Sequence, residues 1–186
     1  YKSVEILCTN YGKIGGIWFD GNWSKPDADW QEEKLYKMIR RLQPDIIIND
    51  RSKLAEDFGT PEGHVTVQSR DWEACMTFND LSWGYVDEVQ AQPYAYTAPR
   101  ILKMLSTCAQ GGGNLLLNIG PTAQGGIDPM QSALLGTMGR WNSLFGEAIY
   151  EGKPYGSWGM GKNFILKGDG CLYLFCYNLG RQGSAH

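Results

Sequence analysis

The chain has 186 residues, of which 42% are apolar and 12% aromatic, so it can bury a substantial core. Its formal net charge of −3 provides no basic surface of the kind that binds nucleic acid. No apolar run reaches the roughly 18 residues needed to cross a membrane. We therefore expect neither nucleic acid nor a membrane as a partner.

The cysteine and histidine content argues against a metal site. There are five cysteines without a CxxC pair, and the two histidines are His64 and His186. Cys171 and Cys176 fall on one predicted strand, which would hold them about 16 Å apart and prevent a disulfide. We expect the cysteines to be small core residues, and we expect no metal and no cofactor.

The start of the sequence lies within an apparent helix. There is no initiating Met and no signal peptide before it. We therefore expect a fragment of a longer protein, with its targeting information upstream.

Two apolar runs near the start predict buried parallel strands that each end in polar groups. The run at 14–19 stops at Asp20, and the run at 46–48 is followed by Asn-Asp-Arg at 49–51. A helix that stops at Pro44 is predicted between them. Its signals are a capping box and an apolar stripe: Asp29 and Glu32, then Leu35, Met38, Ile39 and Leu42.

The remaining elements continue this alternation. A long polar loop at 52–70 precedes a strand at 72–78. Pro99 opens a helix that ends at the glycines 111–113, a buried strand follows at 115–117, and Asp128 with Pro129 starts a last helix. Beyond about residue 153, two strand-like segments joined by Gly-Asp-Gly at 168–170 predict a hairpin.

Alternating strands and helices with polar strand ends favour an α/β fold of the (β/α)8 barrel type. A whole barrel needs about 250 residues, so roughly four strand-helix units amount to half of one. A doubly wound sheet is the alternative, but no strand is followed by a glycine-rich phosphate fingerprint. We predict the C-terminal half of a barrel in residues 1–152, followed by the start of a β-sandwich domain in 153–186.

Two acids stand out as candidates for chemistry. Asp20 closes a buried strand, which fits a helix cap, a structural ion-pair partner or a catalytic carboxylate. Glu62 lies in the long loop, where most glutamates are solvated surface residues. Cleavage of a glycosidic bond needs two such carboxylates. The pattern alone leaves these interpretations open.

Several short motifs, taken together and in this order, resemble the α-L-fucosidase family of retaining glycosidases. The resemblance covers residues 1 to about 155. The motifs are YGKI at 11–14, IWFDG at 17–21, INDR at 48–51, DFGTPE at 57–62, WE at 72–73, LSWGY at 81–85, GNLLLNIGP at 113–121 and GEAIY at 146–150.

The resemblance implies a role for each of five residues. Asp20 matches the nucleophile that attacks the anomeric carbon of fucose, and Glu62 matches the acid/base of part of the family. Trp18 and Arg51 match residues that contact the sugar, and Trp83 matches an aromatic position near its C5 methyl group. Glu62 must begin the reaction protonated, so we expect it to be buried.

Two other motif residues, Asn118 and Glu147, are interpreted as structural. The family's histidine-rich sugar-binding segments have no match here, which predicts that this chain is inactive alone. The implied activity is release of L-fucose from fucosylated glycans or fucosides. The implied location is secreted, periplasmic or lysosomal, and no oligomeric state is predicted. The alternatives are a catalytically silent carbohydrate-binding module and another retaining barrel glycosidase.

Overall fold

The computed structural model describes residues 1–87, 96–156 and 163–177 of a mixed α/β chain. The chain divides into two compact units, Tyr1–Thr60 and Pro61–His186. The sequence-based boundary at 152/153 remains a prediction, and part of the proposed C-terminal β region lies outside the described residues.

The first unit is a βαβ arrangement preceded by a helix. Its elements are α1 (Lys2–Asn10), β1 (Gly16–Ile17), a 3₁₀ turn (Asn22–Ser24), α2 (Glu32–Leu42) and β2 (Ile47–Ile48). Strands β1 and β2 are parallel, with Gly16 opposite Ile47 and Ile17 opposite Ile48. The predicted strand, helix and second strand are all present, although both strands are shorter than the apolar runs suggested.

Only one face of this small sheet is buried in the chain. Ile46 and Ile48 pack into a core with Ile39, whereas Trp18 and Ile47 are 40% and 53% exposed. Successive side chains of a strand point to opposite faces, and the helices cover just one of them. The prediction of strands buried on both faces is therefore wrong for this unit.

Helix α2 also begins differently from the prediction. Its N-cap is Gln31, which has a φ of 50° and no side-chain cap. Asp29 instead accepts a hydrogen bond from the Gln31 N–H at 2.9 Å, in a turn before the helix. The predicted capping box of Asp29 and Glu32 is wrong because Glu32 is already the first helical residue.

The second unit contains another parallel pair and a small antiparallel sheet. Its elements are β3 (Glu73–Thr77), α3 (Ala98–Gln110), β4 (Asn114–Asn118), α4 (Pro129–Phe145), α5 (Glu147–Tyr150), β5 (Lys153–Pro154), β6 (Phe164–Lys167) and β7 (Leu172–Phe175). Strands β3 and β4 are parallel over five residue pairs, from Glu73 opposite Asn114 to Thr77 opposite Asn118. Strands β5, β6 and β7 are antiparallel in that order, which confirms the predicted hairpin.

Close packing of glycine against Trp72 aligns β4 with β3. The Trp72 indole donates a hydrogen bond to the Gly111 carbonyl at 3.1 Å. A Cβ atom at Gly113 would lie 2.1 Å from the Trp72 ring, so only glycine permits this approach. The glycines that were predicted to end α3 therefore also set where β4 starts.

The local signals for helix starts were accurate in this unit. Thr97 caps α3 by accepting from the Arg100 N–H, and Asp128 caps α4 by accepting from Met130 and Gln131. None of the helices among the described residues is long and apolar enough to span a membrane.

The cysteines match the prediction in part. All five are free. Cys8, Cys75 and Cys108 are buried, as expected, but Cys171 is exposed and Cys176 is half-buried. The last two flank β7 directly, and the burial pattern of this strand alternates and leaves one face open. The description of all cysteines as core residues is wrong for this strand.

Candidate active site

A buried asparagine fixes the backbone that leads from β1 to Asp20. Asn49, which follows β2, is fully buried, and its Oδ1 accepts from the Phe19 N–H at 2.8 Å. Its Nδ2 donates to the Phe19 carbonyl, also at 2.8 Å. The side chain thus continues the pairing between the strands for one more residue, and Asp20 comes directly after it. Asn49 belongs to the INDR motif at 48–51, but no role was predicted for it from the sequence.

Asp20, Arg51 and Trp18 form a cluster within the first unit. The Arg51 Nη1 lies 3.3 Å from the Asp20 Oδ1, and the guanidinium stands over the Trp18 ring with its central carbon 4.7 Å from the ring centroid. The Arg51 side chain is 14% exposed and that of Asp20 is 56% exposed. Three predicted site residues are therefore brought together, with the carboxylate open and its cationic partner largely covered.

Thr60 holds the Arg51 guanidinium in this position. Its Oγ1 accepts from the Arg51 Nε at 2.8 Å, and its carbonyl accepts from Nη2 at 3.1 Å. The same hydroxyl donates to the Asp50 Oδ1 at 2.8 Å, so each hydrogen-bonding role of the hydroxyl is used. Sequence reasoning missed Thr60, although it lies in the DFGTPE motif.

Glu62 belongs to the second unit, where its backbone pairs with β3. Cys75 donates its N–H to the Pro61 carbonyl at 2.8 Å, and Gly63 donates to the Cys75 carbonyl at 3.0 Å. These two bonds form a one-residue parallel bridge between Glu62 and Cys75. The Glu62 side chain is exposed. The expected burial is therefore wrong for this chain, because pairing of the Glu62 backbone with the buried Cys75 does not cover the Glu62 side chain.

Trp83 contacts Glu62 directly. Its indole Nε1 donates to the Glu62 Oε1 at 2.9 Å, and the Trp83 side chain remains partly exposed. The Asn118 Nδ2, at the end of β4, donates to the Trp83 carbonyl at 2.8 Å. The second unit thus brings two predicted site residues together by a hydrogen bond that motif reasoning did not foresee.

The two motif residues interpreted as structural both make tertiary hydrogen bonds. Asn118 holds the Trp83 backbone, as described above. Glu147, the first residue of α5, accepts from the Tyr173 hydroxyl on β7. These contacts agree with structural roles for both side chains.

Other features of the described residues do not coincide with these clusters. An apolar cavity of about 560 Å³ lies between α3, α4 and β7, lined by side chains such as Leu102, Trp141 and Phe145. None of the predicted site residues lines it. Within residues 1–87, 96–156 and 163–177, no group of three or more His, Cys, Asp or Glu side chains is arranged to hold a metal ion.

The sequence and the structure of the chain are both similar to those of alpha-L-fucosidases. The family model described as alpha-L-fucosidase matches residues 1–147. An alpha-L-fucosidase of Branchiostoma floridae is 33% identical over 153 residues, covering 75% of this chain and 33% of that protein. The human plasma alpha-L-fucosidase is 35% identical over 147 residues, covering 73% of this chain and 31% of that protein.

A solved structure gives the same result for the fold. Alpha-L-fucosidase isoenzyme 1 from Paenibacillus thiaminolyticus superimposes with a TM-score of 0.70 at 29% identity, covering 89% of this chain and 43% of that one. The chain spans about a third of the length of the curated relatives it matches.

Proposed function

The chain belongs to the alpha-L-fucosidase family, and from this premise we propose that the protein containing it releases L-fucose from α-L-fucosides with retention of anomeric configuration. The observation that carries the proposal is the cluster of Asp20, Arg51 and Trp18 at the carboxyl end of a parallel strand pair.

Asp20 is the nucleophile of this reaction. Its exposed carboxylate attacks the anomeric carbon, the bond to the glycosidic oxygen breaks, and a covalent glycosyl-enzyme forms. Asn49 supports the role by fixing the backbone immediately before Asp20, and Arg51 supports it by holding one carboxylate oxygen. Such restraint keeps the attacking atom in a reactive geometry.

Glu62 is the acid/base. It gives its proton to the departing glycosidic oxygen in the first step and takes a proton from water in the second, when that water cleaves the ester at Asp20. Its exposed position suits both exchanges, since leaving group and water must each reach the carboxyl group.

Trp18, Arg51 and Trp83 bind the substrate. The Arg51 guanidinium supplies hydrogen-bond donors for sugar oxygens, and the indole faces suit the apolar C–H surface of a pyranose ring. Fucose carries a methyl group where most hexoses carry a hydroxymethyl group. The partly exposed indole of Trp83 gives that methyl group an apolar surface.

We place residues 1–152 in the C-terminal half of a (β/α)8 barrel and 153–186 at the start of a β-sandwich. Support comes from the two parallel pairs, β1–β2 and β3–β4, each connected through a helix, and from the antiparallel sheet after α5. Because about two thirds of the relatives' length is not matched, we infer that this chain alone is inactive.

The partner is a fucosylated glycan or a simpler fucoside. We infer a secreted, periplasmic or lysosomal location, for which the support is the relative named as a plasma enzyme.

The test is release of nitrophenol from p-nitrophenyl α-L-fucoside by this chain and by the longer protein. We expect activity only in the longer protein, lowered roughly 10³-fold or more by Asp20→Gly. Asp45→Asn is the matched control, because Asp45 is a highly exposed carboxylate of the same unit, paired only with Lys13 among the described ion pairs. A folded longer protein that binds fucosides without turnover would support a carbohydrate-binding module instead.

Azide separates the two carboxylate roles. With Asp20→Gly, azide attacks in place of the nucleophile, and we expect the β-fucosyl azide. With Glu62→Ala and an activated substrate, azide attacks the glycosyl-enzyme, and we expect the α-fucosyl azide. Proton NMR of the product distinguishes the anomers. The same anomer from both variants would contradict the assignment.

A further inference from the structure

The hydrogen bond between Trp83 and Glu62 is not explained by the role of Trp83 in binding the sugar. A residue that only provides an apolar wall needs no particular placement of its indole N–H. Here the N–H donates to the Glu62 Oε1 at 2.9 Å, a normal length for a hydrogen bond to a carboxylate.

The loop that carries Trp83 is fastened from two directions. Asn79 is 4% exposed, and its Oδ1 accepts from the N–H groups of Leu81 and Ser82 at 2.9 and 3.0 Å. Asn118 donates to the Trp83 carbonyl at 2.8 Å. The loop is therefore tied to the ends of both β3 and β4.

A glycine contact adds to this restraint. A Cβ atom at Gly120 would lie 2.4 Å from the Gly84 carbonyl oxygen, so the backbone after β4 packs directly against the residue that follows Trp83. Such close backbone contact leaves the Trp83 loop little freedom to shift.

Glu62, by contrast, has a fixed backbone and an exposed side chain. Its bridge to Cys75 anchors the main chain. A glutamate side chain has three rotatable bonds and can therefore place its carboxyl group in many orientations. A rigid donor at one oxygen selects among those orientations.

We propose that Trp83 is a positioning residue whose indole N–H orients the Glu62 carboxyl group for proton transfer. This rests on the proposed function, since it requires Glu62 to be the acid/base. The N–H keeps its own proton throughout, and the proton that moves belongs to Glu62. Trp83 therefore acts on the step through carboxyl geometry, in addition to any contact with the fucose methyl group.

The leaving group provides the test, because protonation matters most for a poor leaving group. Trp83→Phe, made in the longer protein, keeps an aromatic wall and removes the N–H. For methyl α-L-fucoside we expect kcat to fall roughly tenfold with little change in KM. For 2,4-dinitrophenyl α-L-fucoside, whose leaving group needs no proton, we expect less than about a twofold fall in the rate of glycosyl-enzyme formation. An equal fall with both substrates, or none with either, would overturn the proposal.

A double-mutant cycle with Glu62→Ala checks that the effect passes through Glu62. In that background Trp83→Phe should change the rate less than about twofold. Asn118→Ala, which removes the donor to the Trp83 carbonyl, should show the same dependence on leaving group and serves if Trp83→Phe fails to fold. An undiminished Trp83→Phe effect in the Glu62→Ala background would contradict the proposal.

Failure of the proposed function has a different signature. If the unmodified longer protein does not cleave fucosides, the function itself is wrong and this inference falls with it. If that protein is active and Glu62→Ala shows the leaving-group dependence while Trp83→Phe does not, only the positioning role of Trp83 is overturned.

Discussion

The two units of the chain hold their candidate acids in different ways. In Tyr1–Thr60, Asp20 depends on groups that are almost fully covered: Asn49 is 0% and Thr60 8% exposed. In Pro61–His186, Glu62 is oriented by Trp83, which is 42% exposed, although the loop that carries Trp83 is held by the buried Asn79 as well as by the partly exposed Asn118.

The difference corresponds to the two proposed tasks. A nucleophile must sit at bonding distance from one carbon atom, so its backbone and counterion need firm support. An acid/base exchanges protons with a leaving group and with water, so it must remain accessible. The groups that restrain Asp20 are therefore largely covered, whereas the side chain that contacts Glu62 is itself exposed.

The largest effect should come from removing the buried restraint. Asn49→Ala deletes two hydrogen bonds to Phe19 and leaves a cavity, so we expect it to lower the free energy of unfolding by about 2–4 kcal/mol. Urea denaturation of the longer protein, followed by tryptophan fluorescence, measures the change.

The matched control is Asn118→Ala, which deletes one partly exposed hydrogen bond and should cost about 1 kcal/mol. Equal losses for the two asparagines would contradict the distinction between a buried and a partly exposed hydrogen-bonding side chain.

A smaller effect is expected at Thr60. Thr60→Val keeps the side-chain shape and removes the hydroxyl that accepts from Arg51 and donates to Asp50. We expect kcat/KM for p-nitrophenyl α-L-fucoside to fall roughly tenfold, the equivalent of one charge-assisted hydrogen bond. Thr60→Ser, which retains the hydroxyl, should stay within about threefold of the unmodified protein. If serine is as poor as valine, the hydroxyl is not what holds Arg51.

The sequence was informative at several places where the signal is local, although the local capping-box signal of Asp29 and Glu32 was wrong. The starts of α3 and α4 follow from Pro99 and from Asp128 with Pro129, and the hairpin of β6 and β7 follows from the glycines at 168 and 170. These features depend on residues a few positions apart, so motif and capping rules reach them.

What the sequence did not predict depends on distant partners. The indole of Trp83 meets Glu62 across 21 residues of sequence, and the amide of Asn49 meets Phe19 across 30. Periodicity cannot report such pairings, nor how much of each sheet face the helices cover. Asp20 was expected to close the first strand, but β1 ends at Ile17, and the two hydrogen bonds between Asn49 and Phe19 fix the backbone up to the residue before Asp20.

The last prediction uses three cysteines to compare the two units without changing their stability. Cys171 is exposed, Cys8 lies in the core of the first unit at 3% exposure, and Cys108 lies in the core of the second at 1%. Burial raises the pKa of the Cys8 thiol, and it raises that of Cys108 to about 12. At pH 8 a thiol with a pKa of 12 is ionised to only about 10⁻⁴, so reaction of the native form is very slow.

We therefore expect alkylation of the native longer protein by iodoacetamide to proceed in the order Cys171, Cys8, Cys108, with mass spectrometry of tryptic peptides as the readout. Labelling of the two buried thiols reports opening of the unit around each one. If Cys108 reacts before Cys8, the second unit opens more readily than the first. The exposed Glu62 would then belong to the unit with the less stable core. The two candidate acids would differ in the stability of the units that carry them as well as in the exposure of the groups around them.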